Sequence, residues 1–321
     1  MRKIYILLLA VLTLSWSINA QMKTRNLQVI DDERANPAAT ENKIGSTSAA
    51  VVATTPSFVD LNNSGVRKAL AESDYKQAAA LFLRAIELKP DCFACRFNLG
   101  RSFLEMEKYD DALRIFNELV EIAPGSANAR ASLGEALSAK GFYQESLPVF
   151  REALKLNAGD ATTLCNYAVA LTLSGAHEEA VGRFDESIKL QPDFAEAHSS
   201  RGYALYSLGR YTEALASLRK AESLNPKLPQ IHNNLGVVHD RIGKKKEALK
   251  YYLEAVRLKP DFAAAVCNLA VSYLVNGKRD AAYEQLKTLE KIDSKLAGQL
   301  RGAIWSRYIV DASAAEKSRE N

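Results

Sequence analysis

The 321-residue sequence predicts an all-α solenoid of about seven 34-residue helix-turn-helix units closed by a C-terminal capping helix. Three observations carry this. Pro90, Pro124, Pro192, Pro226 and Pro260 fall on one 34-residue grid, with Ala158 at its vacant node. Small residues recur at fixed places between these nodes. Apolar residues repeat at helical spacing on both sides of a central turn, and no stretch alternates like a strand.

With the grid proline as position 32, the units begin at 59, 93, 127, 161, 195, 229 and 263, and the array covers 59–296. From the second unit on, position 8 is Gly100, Gly134, Ala168, Gly202, Gly236 or Ala270. Position 20 is Ala78, Ala112, Ser146, Ala180, Ala214, Ala248 or Ala282, and position 24 is Phe82, Phe116, Phe150, Phe184, Leu218, Tyr252 or Leu286. Small residues let two helices approach, and the large one fills the space beside them. Each unit is therefore helix A, a short turn such as the one at Gly209, helix B, and an exit marked by proline.

Three places depart from the pattern. Gly65 and Val66 stand in the first unit where a large residue and a small one are expected, which predicts a short or irregular helix A acting as an N-terminal cap. Arg201 takes position 7, held elsewhere by Leu99, Leu133, Leu235 and Leu269, and needs a carboxylate from Asp185 or Glu186 on the preceding helix. Leu296, Leu300, Ile304 and Tyr308, four residues apart, predict a capping helix over 297–312, followed by a disordered tail over 313–321.

The period, the small-large-small pattern and the grid proline resemble the tetratricopeptide repeat, and "NNLGVVHDRIGKKKEALKYYLEAVRLKP" (233–260) matches it closely. The resemblance implies a right-handed superhelix whose concave face is lined by helix A at positions 2, 5, 6, 9, 12 and 13. Position 6 reads Asn98, Ser132, Asn166, Ser200, Asn234 and Asn268. Each asparagine offers one acceptor and two donor hydrogens, so such a row is suited to holding the amides of an extended peptide whatever its sequence. The alternative is a solvated polar helix face.

Candidate contacts on this face are Asn98, Arg101, Asn166, Tyr203, Asn233, Asn234, Arg241 and Asn268, with Tyr203 and Arg241 as anchors. The family variant that clamps C-terminal carboxylates uses lysines here. Position 5 reads Phe97, Ala131, Cys165, Ser199, Asn233 and Cys267, without one. The expected partner is a protein or an extended peptide segment.

The N-terminus has a different character. Met1-Arg2-Lys3, the apolar run Ile4–Leu14 and a small residue at Ala20 predict a signal peptide over 1–20, hence a periplasmic or extracellular protein with no membrane span after cleavage. Residues 21–58, rich in Ala, Ser, Thr, Asn and Pro, read as a flexible linker. Loss of Arg2 and Lys3 lowers the formal charge from +4 to +2, too little for a nucleic-acid footprint.

Catalytic constellations are missing from the sequence. His198 and His232 fall at position 4 of adjacent units, about 10 Å apart, too far to share zinc. His239, at position 11 beside Phe103, Leu137, Leu171 and Leu205 of other units, reads as a core histidine. No enzyme, cofactor or metal is expected, and an interaction scaffold in cell-envelope assembly or secretion is the favoured function. The competing reading is a thiol-disulfide redox protein using Cys92 and Cys95. Spaced as C-x-x-C at a repeat junction, these two also suit a local disulfide in an oxidising compartment.

Overall fold

The computed structural model describes residues 27–28 and 56–302. The proposed signal peptide and the tail over 313–321 lie outside them. Fourteen helices follow in pairs: α1 Phe58–Glu72 and α2 Tyr75–Leu88, α3 Phe93–Glu105 and α4 Tyr109–Ile122, α5 Ala127–Ala139 and α6 Tyr143–Leu156, α7 Ala161–Leu173 and α8 His177–Leu190, α9 Ala195–Ser207 and α10 Tyr211–Leu224, α11 Pro229–Arg241 and α12 Lys245–Leu258, α13 Ala263–Val275 and α14 Arg279–Ile292. No strand occurs among the described residues.

The chain divides into two compact units, the first reaching to Ala170 and the second starting at Leu171, within α7. In the first, α1 to α6 pack consecutively, and α1 touches α3 as α3 touches α5. In the second, α8 packs on α9, the helices continue pairwise to α14, and α9, α11 and α13 touch in series. Helices A thus lie side by side within each unit.

The turn after helix A needs one left-handed residue. Gly141, Gly175, Gly209, Gly243 and Gly277 supply it at φ between 75° and 92°, while Ser73 and Glu107 take it at 53° and 57° in the first two repeats. This residue bends the chain so that a backbone N–H at the start of helix B reaches five residues back, as Lys244 does to the His239 carbonyl at 2.9 Å.

Helix pairs close on the small residue at position 8. A methyl on Gly100 would lie 2.7 Å from the Phe116 ring, and one on Gly236 would lie 2.5 Å from that of Tyr252. Both rings are at most 1% exposed. At position 20 the residues are uniformly small and buried. Ser146 belongs there because its hydroxyl donates to the Tyr143 carbonyl at 2.7 Å and accepts from Ser138 at 2.8 Å.

The first repeat overturns the expectation of a short or irregular helix. α1 is a regular helix of 15 residues with a capping box between Ser57 and Asp60. Its turn is one residue longer, since Asp74 N–H reaches six residues back to Lys68 where the other repeats span five. That extra residue moves helix A by one register, so Gly65, not Val66, meets the large residue: a methyl there would lie 2.6 Å from Phe82.

Arg201 finds its carboxylate in Asp185, with Nε donating at 2.6 Å. Helical residues 294–302 cover the end of the array, with Ala297 and Leu300 buried against Val266, Cys267, Leu286 and Leu289. Asp293 caps them by accepting from Leu296 N–H at 2.9 Å. Ile304 and Tyr308 lie outside the described residues.

Candidate functional site

The polar side chains of helices A bond to one another from repeat to repeat. In the first unit Asn98 Nδ2 donates to Asn62 Oδ1 at 2.9 Å, Arg101 Nη1 to Glu135 Oε2 at 2.6 Å and Asn166 Nδ2 to Glu135 Oε1 at 2.9 Å. In the second, Asn234 Nδ2 donates to Ser199 at 3.3 Å and Asn268 Nδ2 to Asn233 Oδ1 at 2.9 Å. These residues are all at most 3% exposed. Asn234 and Asn268, at position 6, reach back to position 5 of the previous repeat, and Asn166 reaches back to Glu135 at position 9, because the side-by-side helices stand one short side chain apart. The asparagine row therefore ties repeats together, a use that a list of positions along single helices does not reveal. Asn233 Nδ2 is buried and has no partner among the described residues.

One pair in this row also holds backbone. Asn98 Oδ1 accepts from the Gln28 N–H at 2.7 Å, and its Nδ2 donates to the Gln28 carbonyl at 2.8 Å. Asn62 Nδ2 donates to the same carbonyl at 3.0 Å. Leu27 packs against the apolar cluster of Val66, Ala69 and Leu99. Both residues belong to the stretch read as linker. Asn62 was missed by the repeat grid, which puts Asn63 at position 5; the readable signal was Gly65, which moves the register by one.

Tyr203 and Arg241 belong to an aromatic cluster in the second unit. Tyr203 packs on Tyr206 with ring centroids 6.1 Å apart, and Tyr206 on Tyr211 at 5.8 Å. The exposed Arg241 donates through Nε to the Tyr211 hydroxyl at 3.1 Å. Burial pushes the Tyr206 hydroxyl up to about 12, so it stays protonated and able to donate. Tyr203 itself is only 4% exposed, which leaves Arg241 as the accessible member of the expected anchor pair.

The histidines serve the repeat junctions and the core. His198 Nε2 lies 3.0 Å from the Pro192 carbonyl and His232 Nε2 2.7 Å from that of Pro226, so each Nε2 carries the proton. Arg96 and Arg130, at the same position 4, donate to the carbonyls of Pro90 and Pro124. His239 stacks on Tyr251 with centroids 5.2 Å apart. Among the described residues no three side chains of His, Cys, Asp or Glu are grouped to hold a metal ion.

Cys92 and Cys95 form a disulfide, with Cα atoms 5.4 Å apart. Cys92 is the N-cap of α3, its sulfur accepting from Cys95 N–H, and the two residues are 5% and 0% exposed. Both sulfurs are buried in a closed disulfide, unlike the accessible thiol of a reactive cysteine, so the redox reading gains no support. Cys165 and Cys267 are buried and outside the disulfide, and burial pushes the Cys267 thiol up to about 12.

Helix pairs of fixed length, closed on a small residue and joined by polar bonds between helices A, define a tandem helix-pair repeat protein. Family models described as tetratricopeptide repeat match residues 69–136, 131–186 and 229–262, and one described as TPR repeat matches 169–209 and 202–243. The chain belongs to the tetratricopeptide repeat family, whose members bind proteins or peptides.

Among solved structures, the chain is similar to the crystal structure of the APC/C hetero-tetramer Cut9–Hcn1, with 19% identity over 79% of this chain and 49% of that one and a TM-score of 0.63. It is also similar to PilF of Pseudomonas aeruginosa, with 21% identity over 66% of this chain and 96% of that one and a TM-score of 0.53. The chain spans about half the length of the first of these. At such identities the likeness concerns the fold. No curated protein matched by sequence. No helix among the described residues is long and apolar enough to cross a membrane.

Proposed function

We propose that the protein is a non-catalytic adaptor that holds an extended segment of a partner protein along its helix-A face, and that it works after export, in cell-envelope assembly or secretion. The observation that carries the reading is the hold of Asn98 on Gln28: one side-chain amide engages both the N–H and the C=O of a single residue, the bonding that an extended peptide offers irrespective of its side chains. In the second unit Arg241, exposed at the end of a helix A beside Tyr211, supplies charge and an aromatic neighbour. Export rests on the charge and apolar pattern of residues 1–20.

The test is site-specific photocrosslinking in the native host. A photoreactive residue at Arg241 should capture a partner, and one at the exposed Leu253 on helix B should not. Capture from Leu253 alone would place binding on the opposite side of the helix pair and end this reading. Mass measurement of the captured chain should find an N-terminus at Gln21 in the envelope fraction; an intact N-terminus in the cytoplasm would refute the export step.

A further inference from the structure

Asn62 and Asn98 make a closed set of bonds around one residue of the chain's own N-terminal stretch. Asn98 spends its two donor hydrogens on the Gln28 carbonyl at 2.8 Å and Asn62 Oδ1 at 2.9 Å, and its Oδ1 takes the Gln28 N–H at 2.7 Å. Asn62 spends its own on the same carbonyl at 3.0 Å and on Asn63 Oδ1 at 3.1 Å. Asn62 and Asn98 are each 0% exposed. Next to them, Leu27 lies on the cluster containing Val66, Ala69, Leu99 and Ile115, with Phe103 and Met106 at its margin.

We infer that Asn62, Asn98 and this apolar cluster form a subsite for an extended peptide carrying a large aliphatic residue followed by any residue except proline, and that Leu27–Gln28 occupies it in cis as a competing ligand. The exclusion of proline follows from the bonding: the subsite reads an N–H that proline lacks, and among the described residues no bond involves the Gln28 side chain. Twenty-seven residues separate Gln28 from Pro56, ample chain for its return to the repeats. A tether of that length holds the segment at an effective concentration on the order of millimolar, so a partner of similar intrinsic affinity must outcompete it. The inference rests on the reading of the helix-A face as a peptide-binding surface and adds to it a specific subsite and its resident occupant.

Two measurements on the purified chain test it. Hydrogen exchange should show the amide of residue 28 protected in the parent and in the Gln28→Ala chain, equally at high and low protein concentration, and unprotected in a Leu27→Asp chain. A fluorescein-labelled peptide of residues 23–32 should bind the Leu27→Asp/Gln28→Pro chain about tenfold more tightly than the parent, the cis competitor having been removed. Neither change touches the repeats, so folding is preserved, and adding Asn98→Ala to the opened chain should abolish peptide binding.

An unprotected Gln28 amide, or equal peptide affinity for parent and opened chains, overturns the cis occupant while leaving the peptide-binding face intact. Protection that fades on dilution assigns the occupant to a second copy and likewise overturns it. Failure of the opened chain to bind the peptide at all removes the subsite itself.

Discussion

Arg101 and Glu135 meet at 2.6 Å across adjacent helices A, both at position 9 and both at most 3% exposed. Glu135 also accepts from Asn166 at 2.9 Å, so one carboxylate joins three successive repeats. Glu135→Leu leaves the Arg101 guanidinium buried without its counter-charge and is expected to cost about 3–5 kcal/mol in chemical denaturation. Arg101→Met combined with Glu135→Leu should recover most of that loss, because an apolar pair of similar volume avoids burying any charge. Equal destabilisation by the single and double variants would show that the pair matters through packing alone.

Gly65 reports on the register of the first repeat. On the sequence grid it occupies position 7, where leucine stands in other repeats, and Gly65→Leu should then be harmless or beneficial. In the structure a methyl there already lies 2.6 Å from the fully buried Phe82. Gly65→Leu is expected to lose about 2 kcal/mol or more despite leucine's better helix propensity, and to lower the Tm.

The disulfide closes a short loop, which limits its effect to about 2 kcal/mol. Cys92 also caps α3, as Ser126 caps α5 by accepting from Ala129 N–H at 3.2 Å. Cys92→Ser/Cys95→Ser should therefore be more stable than Cys92→Ala/Cys95→Ser by about 1 kcal/mol, the value of an N-cap. Equal thermal midpoints for the two double variants would remove the capping role.

His239 should make the protein sensitive to acid. It is 4% exposed, neither ring nitrogen has a hydrogen-bond partner among the described residues, and burial, aided by Lys244 and Arg219 against an opposing Glu247, holds its pKa below the ordinary 6.5. The unfolded chain binds this proton first as the pH falls. Its contribution to stability is thus complete above about pH 6.5 and declines below it, by at most about 1.4 kcal/mol per pH unit, until the folded ring titrates too. His239→Leu, which installs the residue of Leu137 and Leu205, should flatten the stability profile between pH 6.5 and 5.

Much of the fold was legible from residue types at a fixed period. Positions 8, 20 and 24 announce the closing of each helix pair because a small residue opposite a large one is a local steric requirement, written within 17 residues of chain. Arg201 could be matched to Asp185 for the same reason: a charge at an apolar position needs a partner on the helix packed beside it.

The candidate site was legible only in its chemistry. Asn98, Asn166, Asn234 and Asn268 could be picked out as a polar row, yet whether their amides face a ligand or one another depends on the approach of helices whose residues lie 31 to 36 positions apart. Asn62 was hidden by a single extra residue in the first turn.

By itself, then, the sequence determined the helix-pair repeat, its period and the close contacts inside each pair, since these follow from side-chain volume at fixed spacing. Tertiary structure alone decided that the asparagines bond from repeat to repeat and that Gln28 lies on Asn62 and Asn98. A hydrogen bond needs two groups within about 3 Å, and contacts between distant stretches of chain come to that distance only when packing has set helix against helix.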